Sequence, residues 1–158
     1  MTNLTLNRRA VLCAIGAAGL GLSMPALAGT GPLMQVVKDP NCGCCGAWVD
    51  VINEAGFETE VSEVPYEALV RLKQESGISE EMASCHTARV EEYVIEGHVP
   101  PADIRRLLSE RPDAIGLSVP GMPWGSPGMG PESERDAYAV YIIRKDGTTE
   151  VFTAYDAA

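Results

Sequence analysis

The feature that most constrains this chain is one stretch, "LMQVVKDPNCGCCGAWVDVINEAG", which begins at Leu33 and ends at Gly56. Residues 33–37 form a short apolar run that ends in Lys38-Asp39-Pro40, the pattern of a strand entering a turn. From Cys44 onward, Ala47, Trp48, Val51, Ile52 and Ala55 recur at helical spacing, and Gly56 supplies a stop. Cys42, Cys44 and Cys45 therefore fall in a strand-to-helix loop and the first helical turn. The chain is committed to a βα unit whose helix begins in sulfur.

The pattern continues in the same style. Residues 57–64 read as a second strand, 65–75 as a second helix stopped at Gly77, and 79–83 as a short helical turn. Strands follow near 88–90 and 93–96, and a helix starts at Pro101. This βαβ-helix-ββ-helix order predicts an α/β domain with a thioredoxin-like fold. In that fold the cysteine loop lies beside the turn that begins the third strand, here Ser84-Cys85-His86-Thr87. Residues 116–134, "GLSVPGMPWGSPGMGPESE", are rich in Gly, Pro and Met and too long for an ordinary connector. After them, residues 137–144 and 149–155 read as an added C-terminal β-hairpin turned at Asp146-Gly147.

The N-terminal 28 residues read as an export signal. Arg8-Arg9 precede an apolar run, and Ala26-Leu27-Ala28 form a small-residue cleavage site. The arginine pair fits twin-arginine export and an ordinary secretory leader alike. The apolar stretch from Ala10 to Ala28 is long enough for an anchor, but its glycines, Pro25 and Ala-x-Ala ending favour cleavage, leaving no stable membrane span. Residues 29–158 then form one domain, since a chain of this length with 46% hydrophobic residues can bury one core. Loss of Arg8 and Arg9 takes the formal charge from -10 to -12 and disfavours a nucleic-acid partner. Most of the acids read as solvated faces of helices and strands.

Cys13 leaves with the leader, so Cys42, Cys44, Cys45 and Cys85 remain. Four cysteines in an exported protein admit two structural disulfides, but three nearly adjacent cysteines favour chemistry over stapling. Cys42 to Cys45 has the C-x-x-C spacing of a redox pair, where a helix start stabilises the first thiolate. Cys42 to Cys44 is a C-x-C spacing that lets two thiolates converge on a metal. Soft thiolates select Cu(I), with zinc the rival. Beside the cluster, Cys85 offers a fourth sulfur and His86 an imidazole suited to copper or zinc. His98, in "IEGHVPPAD", is a weaker candidate that could equally cap or hydrogen-bond. Met122 and Met129 lie in the Gly-Pro loop, where helical packing does not explain them; their thioethers are acceptable copper ligands, and equally serve as plugs over a core.

These motifs resemble the CopG-like family, small exported proteins long filed as a domain of unknown function and associated with copper resistance. The resemblance runs from about Val36 to Tyr155. It rests on CGCC followed by a helical Trp, "ASCHTA", "YVIEGHVP", "IRRLL" and "VPGMPWGSPGM". It implies a periplasmic, thioredoxin-like, copper-binding protein with Cys42, Cys44 and Cys45 as the foremost ligands. It further implies Cys85 as an added thiol and His86 or His98 as a completing ligand. Interconversion of Cu(I) and Cu(II), or delivery to other periplasmic copper-handling proteins, is the implied activity. A thiol-disulfide oxidoreductase using Cys42 and Cys45 is the alternative.

Overall fold

A computed structural model describes residues 31–158; the export-signal expectation lies outside them. The described chain is a mixed α/β domain with three α-helices on one seven-stranded sheet. Strand β1 (Leu33–Lys38) leads into α1 (Gly43–Glu54), β2 (Glu58–Glu63) and α2 (Tyr66–Glu75). Next come β3 (His86–Val90), β4 (Tyr93–Glu96), α3 (Pro101–Glu110) and β5 (Gly116–Ser118). A hairpin of β6 (Tyr138–Ile143) and β7 (Thr149–Tyr155) completes the chain. The sheet order is β2-β1-β3-β4-β5-β6-β7, with β1/β2 and β4/β5 parallel and the other pairs antiparallel.

The alternation of side chains along β3 divides the two faces. His86, Ala88 and Val90 point one way, and His86 meets Trp48 of α1 at 4.3 Å between ring centroids. That face holds the main core, where Met34, Val36, Trp48, Ile52, Ile95, Ile104, Leu107 and Leu117 are buried together. Thr87 and Arg89 point the other way and bond Lys73 and Ser76, at the end of α2. A smaller cluster of Ile78, Val94 and Ile143 fills that side. Helix α1 thus packs on one face and α2 on the other, and both reach the sheet end where β3 begins.

One expectation changes. The sequence places residues 116–118 at the start of the long loop, yet they form β5, a fully buried strand paired with β4 and β6. Three residues opened by Gly carry no alternation to read. The C-terminal addition is therefore a strand plus a hairpin that widens the sheet. Among the acids, Glu96 and Asp103 are the buried exceptions to the solvated majority.

Gly116 is required by close approach, because a Cβ there would stand 1.7 Å from the Val94 carbonyl oxygen. Gly116→Ala is expected to lower stability by about 1–3 kcal/mol through overpacking. A shift of the urea unfolding midpoint at unchanged slope is the measurement.

Candidate metal centre

Asp39 builds the loop that presents the cysteines. Its carboxylate accepts the Asn41 amide at 2.8 Å, and its carbonyl accepts the Cys42 amide at 3.1 Å, an Asx-type turn that delivers the chain to α1. Cys42 is the N-cap, where the helix start favours negative charge. Trp48, two residues after Gly46, is wholly buried and donates its indole N–H to the Val99 carbonyl at 3.0 Å, fixing the rotation of α1.

Cys42 and Cys45 are joined in a disulfide, while Cys44 and Cys85 are free. Cys44 Sγ lies 3.5 Å from Cys42 Sγ and 4.0 Å from Cys85 Sγ. The four sulfurs fall within 4.8 Å of one another, as do Cys85 Sγ and a ring nitrogen each from His86 and His98. The two groups share Cys85, and no carboxylate belongs to either among the described residues. This donor set of sulfurs and imidazoles fits a soft or borderline metal and does not resemble an oxygen cage for calcium or magnesium.

The imidazoles are held differently. His98 Nδ1–H donates to the Pro127 carbonyl at 2.7 Å, because a carbonyl oxygen can only accept. In the neutral ring that leaves the Nε2 lone pair facing Cys85 Sγ, 3.0 Å away. His86 Nδ1 lies 3.4 Å from the same sulfur, and its buried Nε2 has no partner. Burial lowers the pKa of both rings; for His86, the nearby His98 and Lys73 lower it further, to well below 6.5. Both are therefore neutral and able to ligate near pH 7. Burial, with Cys44 beside it, pushes the Cys85 thiol up to about 12.

Cys85 is anchored from below by a buried polar network that the sequence reading missed. Glu96 Oε1 accepts Lys73 Nζ and the Ser84 amide, each at 2.6 Å, and Oε2 accepts the Thr87 hydroxyl at 2.7 Å. Lys73 also donates to Thr87 at 2.9 Å. Burial raises the Glu96 pKa, and Lys73, Thr87 and the Ser84 amide pull against that. One sequence signal was present: an acid closes the otherwise apolar strand "YVIE" immediately before Gly97 and His98.

The two methionines separate. Met122 is exposed and lines an open groove with Asp39, Asn41, Cys42, Tyr66, Ser84 and Cys85. Met129 is half-buried in a turn of its own loop, where its amide meets the Ser126 carbonyl and its carbonyl accepts Gly125 N–H. It does not line that groove. The same loop supplies Pro127, and Gly128 lets it lie on α1, since a Cβ there would stand 2.6 Å from the Trp48 nitrogen.

Two solved structures share this architecture. Both are titled copper resistance protein CopG, in two forms. One is 38% identical with a TM-score of 0.73, covering 79% of this chain and 98% of its own. The other is 37% identical with a TM-score of 0.74, covering 80% and 99%. The chain belongs to the CopG family. The sequence profile described as "Protein of unknown function, DUF411" matches residues 82–129, which span the Cys85 turn, both histidines and most of the Gly-Pro-Met loop. No curated protein matches the chain. Four of the five motifs that carry the CopG resemblance converge here: CGCC, "ASCHTA", "YVIEGHVP" and the loop that holds His98, whereas "IRRLL" lies in α3.

Lys73→Met would strand the Glu96 carboxylate without its counter-charge. A loss of about 3–5 kcal/mol is expected from leaving a buried charge uncompensated, read from urea unfolding. The histidines set a second expectation. Their folded pKa values lie below the unfolded 6.5, so the unfolded chain takes up more protons as pH falls through that value, and stability drops. Between about pH 7.5 and about pH 5.5, the metal-free protein is expected to lose more stability than His98→Gln; Glu96, whose shift has the opposite sign, is common to both and cancels in the comparison.

Proposed function

We propose that this protein is a periplasmic copper-binding protein of copper resistance. In its reduced form it holds Cu(I) through Cys42, Cys44 and Cys45, with Cys85 as a fourth thiol and His86 and His98 completing the site. The observation that carries this reading is the convergence of four sulfurs within 4.8 Å, with two neutral imidazoles on the shared Cys85. Soft donors without oxygen favour Cu(I), and zinc is the weaker fit. Kinship with proteins titled copper resistance protein supports the same cargo. The reading includes export by the leader, the passing of copper to other periplasmic copper-handling proteins and interconversion of Cu(I) and Cu(II).

A thioredoxin-like core is part of the proposal. The order β2-β1-β3-β4, with β3 antiparallel to β1 and helices on both faces, supports it. Among the described residues no helix is long and apolar enough to cross a membrane. Met122, at the groove, is proposed as an outer copper contact; Met129 is the weaker member of the set.

The Cys42–Cys45 disulfide at a helix start favours a second reading, a thiol-disulfide oxidoreductase. Metal-free turnover of a disulfide substrate would support it. Copper binding is tested by anaerobic titration of the reduced protein with Cu(I) against a competing chelator. The bound stoichiometry is expected to fall sharply in Cys42→Ser and in Cys45→Ser, and binding unchanged in both variants would sink the reading.

A further inference from the structure

The disulfide and the thiolate site make competing demands on the same atoms. With Cys42 and Cys45 joined, two of the four sulfurs are no longer thiolates and are lost as strong ligands. What remains is not empty of donors. Cys44 Sγ and Cys85 Sγ stay free at 4.0 Å, and His98 Nε2 stays 3.0 Å from Cys85 Sγ, its lone pair aimed there by the Pro127 carbonyl. The oxidised chain thus keeps a pair of free sulfurs with an imidazole nitrogen beside one of them, a soft combination suited to Cu(I) and poor for the tetragonal nitrogen and oxygen geometry that Cu(II) prefers.

We propose that the Cys42/Cys45 pair is the electron source that reduces Cu(II), and that Cys44 and Cys85, with His98 beside Cys85, retain Cu(I) once the pair is spent. The inference rests on the copper reading above and deepens it. The step balances: two Cu(II) ions each accept one electron. The Cys42 and Cys45 thiols lose two electrons and two protons, the S–S bond forms between them, and the protons pass to solvent. One Cu(I) stays on the remaining donors, and the other leaves to a Cu(I) acceptor.

Access divides the roles within the pair. Cys45 is wholly buried on the core side of α1, whereas Cys42 is half-buried and lines the open groove with Asp39, Tyr66 and Met122. Thiol-disulfide exchange follows access to the attacked sulfur. An external thiol reductant therefore attacks Cys42 Sγ, the Cys42–Cys45 bond breaks, and Cys45 departs as the thiolate. A second external thiol attacks the mixed disulfide and frees Cys42. Cys44, adjacent to both, stays out of the exchange and remains a ligand.

The test uses the full-length chain with Cys13→Ser, so that four thiols remain, reduced and freed of reductant without oxygen. Cupric chloride is added, Cu(I) is counted by bicinchoninate, and surviving thiols are counted after denaturation with a chelator. Peptide mass spectrometry then maps the disulfide. Two Cu(I) formed as two of the four thiols disappear, with the bond mapped to Cys42–Cys45, is the expected result. Cys42→Ser should lose this two-for-two conversion, with Cys45→Ala as the second variant. Cys85→Ser should still form the disulfide and produce Cu(I), but lose the copper on desalting. Copper bound with all four thiols intact, or a disulfide mapped to Cys44 or Cys85, would overturn the inference and leave the copper reading standing. Failure of the fully reduced chain to bind supplied Cu(I) would instead bring down the copper reading itself.

Discussion

The structure depends on one buried carboxylate. Glu96 has no solvent exposure, and it accepts hydrogen bonds from Lys73 on α2, Thr87 on β3 and the amide of Ser84 in the turn before β3. A buried acid is costly alone, and here its cost is offset by a counter-charge and two further donors. The consequence reaches the sulfur cluster, since Ser84 precedes Cys85 and fixing its amide fixes where Cys85 starts. On the opposite face of the sheet, Trp48 does the equivalent for Cys44 and Cys45 by locking α1 to the Val99 carbonyl. Two polar anchors on two faces thus bring sulfurs from distant parts of the chain to a 4.0 Å approach at one sheet end.

At that end the chemistry is a choice between bonding sulfur to sulfur and bonding sulfur to metal. A redox pair needs two thiols close enough to join, and a thiolate metal site needs the same closeness with the thiols apart. Four sulfurs within reach of one another satisfy both demands, but not for the same atoms at once. On the copper reading this is why a third cysteine inside the C-x-x-C spacing is useful: Cys44 and Cys85 keep a ligand pair when Cys42 and Cys45 are joined. The imidazoles add donors that carry no charge, held neutral by burial. They can ligate without adding further negative charge to a crowd of thiolates.

Much of this was legible in the sequence, for identifiable reasons. The helix start at the cysteines could be read because Asp39-Pro40 marks a turn and Trp48 and Ile52 mark a buried face. The hairpin could be read because Asp146-Gly147 sits between two alternating runs. The approach of Cys85 to the cluster could be expected from the order of elements alone. What escaped depends on contacts between distant residues. Strand β5 is three residues long and exists because Gly116 lets the backbone lie against Val94. Glu96 looks like any strand-end acid until Lys73, twenty-three residues earlier, is found beside it. The orientation of His98 is set by the main chain of Pro127, and a carbonyl oxygen leaves no trace in residue identity.

The long Gly-Pro-Met loop shows how such contacts divide the site into a closed and an open side. Gly128 lets the loop lie directly on the backbone of α1, and the neighbouring Pro127 carbonyl then reaches His98. A metal-bound histidine is oriented by what its other nitrogen donates to, so the loop acts on the centre without touching a sulfur. The opposite side keeps the groove, with exposed Met122 and Tyr66 at its edges and Cys42 in its wall. Of the four sulfurs, Cys42 and Cys85 are the ones that line this groove, while Cys45 is wholly buried. On the copper reading, the side that the loop leaves uncovered is the side from which the cluster is reached.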